Sequence, residues 1–122
     1  MKLRNLVAVL MALAAGPALA DITIGVTVSA TGPAAALGGP QKNTVTLLPT
    51  TVAGERINWI VLDDATDPGS ASKNATKFIT EDHADIIVGS STTANTAAMV
   101  DAITESKTPL LSLSPIDLPA EK

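Results

Sequence analysis

Ile87-Val88-Gly89-Ser90-Ser91-Thr92-Thr93-Ala94-Asn95-Thr96 runs from β-branched residues, through a glycine and four consecutive hydroxyls, into a stretch with helical spacing. A buried strand that turns this way into a helix is half of a βαβ unit. Amides at a helix start lack intrahelical acceptors and lie at the positive end of the helix dipole, and hydroxyl donors beside them add to the attraction for an anion. The segment therefore predicts a carboxylate or phosphate site. One hydroxyl is enough to cap a helix, so a run of four favours binding over capping alone.

Reading outward, the strand is expected at Asp85–Val88, the polar loop at Gly89–Asn95 and the helix at Thr96–Ser106, with Met99, Val100 and Ile103 inward. A further strand follows at Pro109–Leu113. Upstream, Asp67 as N-cap and Pro68 as first helical residue start a helix reaching Glu81, with Ala71, Ala75, Phe78 and Ile79 on one face. Before it lies a strand at Ile57–Asp63, and before that a helix opened by Pro40 that carries Val45, Leu47 and Leu48 and ends near Pro49. The nearly continuous apolar run Ile22–Val28 is a first strand covered on both faces. The order is thus β-α-β-α-β-α-β, which predicts an α/β fold of three layers: a parallel sheet with helices on both faces. Ligands of such sheets sit beyond the carboxyl ends of the strands, which singles out the loops Ser29–Pro33, Ser90–Asn95 and Ser112–Asp117.

Residues 1–20 are set apart as a signal peptide. Lys2 and Arg4 precede an apolar run from Leu6 to Ala15, and Ala18-Leu19-Ala20 forms a small-residue cleavage site. Cleavage is expected before Asp21, with a periplasmic mature protein. The remainder, residues 21–122, suffices for one domain. The formal net charge is −4 and both basic residues of the leader would be lost, so no basic face remains to hold nucleic acid. There is no cysteine, so an exported chain must rely on burial rather than disulfides, and a lipid-modified cysteine at the cleavage site is excluded. With one Trp, one Phe and no Tyr, a stacking site for sugars or bases is not expected.

Asp63-Asp64-Ala65-Thr66-Asp67 is the other polar cluster. Its carboxylates could hold Mg²⁺ for phosphoryl transfer, which makes a small metal-dependent α/β enzyme the alternative reading. No G-x-x-x-x-G-K-[ST] segment is present to cradle a phosphate, and Asp67-Pro68 is accounted for as a helix start. The preferred reading gives the cluster no metal and the chain no cofactor. His83, the only histidine, falls in a charged turn at the opposite end of the sheet from the candidate loops. There is no G-x-S-x-G elbow, so Ser-His hydrolase chemistry lacks its parts.

Four blocks resemble, in order, type I periplasmic binding proteins for leucine, isoleucine and valine. They are Ile24-Gly25-Val26 through Ser29-Ala30-Thr31-Gly32-Pro33; Leu62-Asp63-Asp64-Ala65-Thr66-Asp67-Pro68; Ile87-Val88-Gly89-Ser90-Ser91-Thr92-Thr93; and Pro109-Leu110-Leu111-Ser112-Leu113-Ser114. The resemblance implies a non-enzymatic receptor that delivers an aliphatic amino acid or related carboxylate to the membrane subunits of an ABC transporter. It also implies that Ser91, Thr92 and Thr93 contact the ligand, with Ser114 from the next loop. Ser114 is followed here by Pro115-Ile116-Asp117, where the family has small residues and a further Ser or Thr. Receptors of this family are two-lobed and close around the ligand. Residues 21–122 are accordingly expected to form part of an N-terminal lobe, truncated so that binding is impaired, and to self-associate through an uncovered sheet edge.

Overall fold

The computed structural model describes residues 21–117. The proposed leader, its cleavage junction and the terminal Leu118–Lys122 lie outside the described residues. The elements are β1 (Ile22–Val28), α1 (Ala35–Val45), β2 (Thr51–Val52), β3 (Glu55–Asp63), α2 (Pro68–Thr80), β4 (Ile86–Val88), α3 (Thr93–Ser106) and β5 (Leu110–Leu111). They form a five-stranded sheet in the order β2-β3-β1-β4-β5. β1 pairs in parallel with β3 from Ile22 opposite Ile57 to Val28 opposite Asp63. On its other side it pairs with β4 from Ile24 opposite Ile86 to Val26 opposite Val88. The chain moves from β1 to β3, then recrosses β1 to reach β4. Strand order therefore reverses between β1 and β4, and the crevice beyond their carboxyl ends is the switch point where ligands of open α/β sheets bind.

Successive strand residues point to opposite faces of the sheet, and the two faces are filled differently. On one face α2 and α3 pack together over Ile87, with Ala71, Ala75, Phe78, Ala84, Met99 and Ile103 forming the core and Ile60, Leu62 and Leu110 packed against it. Gly25 makes room for this layer, since a Cβ there would lie 2.5 Å from the Phe78 ring. On the other face α1 is the one helix among the described residues. Beside it an apolar groove of about 260 Å³ is lined by Val26, Val28, Val45, Trp59, Val88 and Leu113, among others. Leu47, Leu111 and Leu113 are exposed. No helix among the described residues is long and apolar enough to cross a membrane.

Two expectations need correction. α1 begins at Ala35 and contains Pro40, which the sequence reading took for its first residue; Leu47 and Leu48 fall beyond its end. Its early turns are held by packing: Gly38 sits so close to β1's exit that a Cβ would lie 2.2 Å from the Ser29 carbonyl. A glycine that looks like a loop residue is thus a contact residue inside a helix, and Pro40 is carried on the exposed side. The sheet is also not wholly parallel. Thr51 and Val52 pair antiparallel with Arg56 and Glu55 around a tight turn at Ala53-Gly54, both at positive φ. A two-residue strand leaves no periodic signal. The other elements fall within a few residues of expectation, the largest shift being α3, which starts at Thr93 instead of Thr96.

Candidate functional site

The crevice is built on a buried carboxylate. Asp64, which follows β3, is fully buried. Its Oδ1 accepts hydrogen bonds from the Ser29 hydroxyl (2.7 Å), the Asn95 side-chain amide (2.8 Å) and the Thr66 backbone amide (3.0 Å). Its Oδ2 accepts from the Ser90 hydroxyl (2.6 Å) and the Thr27 hydroxyl (3.3 Å). Burying a carboxyl group is unfavourable unless its oxygens are hydrogen-bonded, and here five donors converge on two oxygens. They come from β1 and its exit, from the turn after β3, from the exit of β4 and from α3, so one side chain ties together every wall of the switch point.

Above this layer lie the residues singled out in the sequence, and the structure brings them together. Ser91, nearly fully buried, accepts the Ser29 amide (2.9 Å) and donates its hydroxyl hydrogen to Gln41 Oε1 of α1 (2.5 Å). Thr92 is the N-cap of α3, and its Oγ1 accepts the Asn95 amide at 3.4 Å. Thr93, exposed, donates to the Pro115 carbonyl (2.8 Å), which fastens the loop after β5 to the helix start. Ser114 is joined to the same place through Thr96, their hydroxyls 2.8 Å apart.

A hydroxyl carries one hydrogen, so these bonds decide which groups can donate to an anion. Ser91 has given its hydrogen to Gln41 and Thr93 to Pro115. The Thr92 hydroxyl only accepts among the described residues. The amides of Thr93 and Ala94, in the first turn of α3, have no intrahelical acceptor. One hydroxyl hydrogen and two amides at the positive end of a helix suit a carboxylate.

The acidic cluster is dispersed by its turn. Asp63 is exposed and accepts from the Thr31 hydroxyl (2.6 Å) and the Ala65 amide (2.8 Å). Partial burial works against its ionisation, but the bonds from Thr31 and Ala65 outweigh that and hold its carboxyl below its ordinary value. Asp67 caps α2 through the Ser70 amide (2.6 Å), and the Ser70 contact lowers its pKa. Among the described residues no three His, Cys, Asp or Glu side chains converge on a point where a metal could sit. His83 is exposed in the turn before β4.

Ser29 and Asn95 lie within the loops singled out in sequence but without an assigned role, whereas Asp64 as a buried anchor and Gln41 were not expected in the site. A signal for Asp64 was present: Thr27 is a polar residue flanked by Val26 and Val28 in a mostly apolar strand, and a buried position there implies a buried polar partner. Nothing in the sequence says which of Asp63 and Asp64 that partner is.

The model of the periplasmic binding protein family matches residues 21–122. An extracellular ligand-binding receptor from Rhodopseudomonas palustris is 42% identical and superposes with a TM-score of 0.80, covering 83% of this chain and 28% of its own. A solute-binding protein of an ABC transporter from Rhodopseudomonas palustris BisB5, in complex with 3,4-dihydroxybenzoic acid, is 28% identical with a TM-score of 0.73, covering 77% of this chain and 27% of its own. A branched-chain amino acid transporter substrate-binding protein from Streptococcus pneumoniae, in complex with isoleucine, shares the fold at 23% identity and a TM-score of 0.70, covering 84% of this chain and 31% of its own. The chain thus spans less than a third of the length of each of these three proteins. No curated protein matches it.

Proposed function

The chain belongs to the periplasmic binding protein family, and from that premise we propose that it forms part of the N-terminal lobe of a receptor for a small carboxylate. The ligand is an aliphatic amino acid or a similar acid, handed to the membrane subunits of an ABC transporter, without catalysis. The observation that carries this reading is the rim of the switch point, where the Thr92 hydroxyl and the amides of Thr93 and Ala94 are not taken by intrahelical acceptors. The same rim is close to Ser91 and Ser114, which bound it on either side through Gln41 and Thr96. The relative bound to 3,4-dihydroxybenzoic acid takes a ligand with the group that such a helix start suits.

Against the phosphoryl-transfer alternative stands the separate engagement of the three aspartates: Asp63 with Thr31, Asp64 with the buried network, and Asp67 with α2. Export is part of the same proposal. The leader pattern of residues 1–20 implies a mature chain starting at Asp21, and N-terminal sequencing of periplasmic material should read Asp-Ile-Thr-Ile. Recovery of Met1 from the cytoplasm would remove that part.

Binding is tested by calorimetric titration with leucine, isoleucine, valine and 3,4-dihydroxybenzoate. The rim supplies one wall of a site, and receptors that enclose their ligand gain affinity from desolvation on closure. A dissociation constant near millimolar or weaker is expected, about 4 kcal/mol short of a micromolar receptor. The open α1 face and the β5 edge also lead us to expect self-association, checked by gel filtration. Micromolar binding by a monomer would show that these residues suffice alone.

A further inference from the structure

We infer that Asp64 is the positioning residue of the binding rim: without touching ligand, its carboxylate sets where the Thr92, Thr93 and Ala94 donors stand and which way the neighbouring hydroxyls point. The inference rests on the receptor reading above. Its basis is the direction of the hydrogen bonds. The hydroxyls of Ser29, Ser90 and Thr27 all donate downward onto Asp64. Their hydrogens are therefore spent below the crevice, and none is available to compete with the rim for a ligand. Asn95 adds the mechanical link. It belongs to the first turn of α3, its side chain donates to Asp64 Oδ1 at 2.8 Å, and its backbone amide is the one that Thr92 caps. The carboxylate thus holds the helix turn that presents the Thr93 and Ala94 amides. On the other side, Ser29 donates its hydroxyl to Asp64 and its backbone amide to Ser91, so the same anchor fixes Ser91 and, through it, Gln41.

An asparagine at this position keeps the shape of the side chain and replaces one acceptor oxygen with a donor group. Either the Ser29, Asn95 and Thr66 donors or the Ser90 and Thr27 pair would then face an N–H₂ group, and hydroxyls must turn or the loops must shift. The change falls on orientation above the layer rather than on any ligand contact.

The experiment compares the wild-type chain with Asp64→Asn and with Phe78→Leu, a substitution in the core on the α2 face that lowers Tm without contact to the crevice. Dissociation constants for isoleucine and 3,4-dihydroxybenzoate are read from amide chemical-shift titrations, alongside Tm. The expected result is at least a tenfold weakening for Asp64→Asn, with altered Thr92–Ala94 shifts before any ligand is added. Phe78→Leu should show wild-type affinity. If Asp64→Asn does not fold, Asn95→Ala removes the strut to α3 and should weaken binding in the same sense. Wild-type affinity in the folded variant, or equal weakening by Phe78→Leu, overturns the positioning role and leaves the receptor reading intact. Failure of the wild-type chain to bind either probe overturns the receptor reading itself, and this inference with it.

Discussion

Ser29, Ser90 and Asn95 on one side and Ser91, Thr92 and Thr93 on the other are neighbouring polar groups around one crevice, yet they have different surroundings. The first set is buried and turned onto Asp64. The second set runs from nearly buried to exposed and bonds sideways, to Gln41, to the α3 amide of Asn95 and to Pro115. A row of hydroxyls in sequence is therefore two layers in space. The lower layer makes the fold possible at the switch point, and the upper layer is left to meet solvent or solute.

That division can be broken most severely from below. Asp64→Ala would leave five donors facing a cavity, each unsatisfied buried group costing about 1–3 kcal/mol before relaxation. We expect a loss of roughly 3–5 kcal/mol in urea denaturation, near the upper end for single substitutions. A loss under about 1 kcal/mol would mean that the lower layer is not structural. Gly89→Ala comes next. Gly89 has φ of 132° and a Cβ there would lie 2.1 Å from the Thr27 carbonyl oxygen, so the strand exit must shift. A destabilisation of about 2–3 kcal/mol is expected by the same measurement.

The upper layer should respond more weakly in stability and more clearly in binding. Thr92→Ala removes the α3 cap and should cost about 1 kcal/mol. Thr92→Asp keeps an acceptor for the cap but sets a negative charge at the rim. It should hold stability near wild type while weakening carboxylate binding beyond Thr92→Ala, and Thr92→Ser should retain both. If Thr92→Asp bound as well as wild type, the rim would not be the anion site.

The smallest effect concerns pH. Asp63 is held below its ordinary value of 3.8, so its contribution to stability is present above that value and is lost as pH falls through the lower folded value. Asp63→Asn should therefore flatten the acid limb of the stability curve below about pH 4 and change little at neutrality. An unchanged acid limb would show that the Thr31 bond does not persist in solution.

Most of the architecture was legible because it rests on local chemistry. Asp67-Pro68 starts α2 where capping preference places it, and the Phe78 face follows helical spacing. What was not legible depended on contacts between distant segments. Gly38 is helical because of the Ser29 backbone it packs against, and Asp64 is buried because three other segments bring donors to it. Neither is visible from neighbours in sequence. The hydroxyl run stands out in sequence as a candidate site, but its residues alone do not separate Ser90, which is turned onto Asp64, from Ser91, Thr92 and Thr93, which bond sideways.

The most direct test of this account is an amide chemical-shift titration of the chain with isoleucine and, separately, with 3,4-dihydroxybenzoate. Saturable shifts centred on Thr92, Thr93 and Ala94 are expected, with a dissociation constant around millimolar and the Asp64 network amides of Thr66 and Ser90 moving little. Shifts confined to the apolar groove of the α1 face, or none at the start of α3 at ligand concentrations of roughly 50 mM, would contradict it.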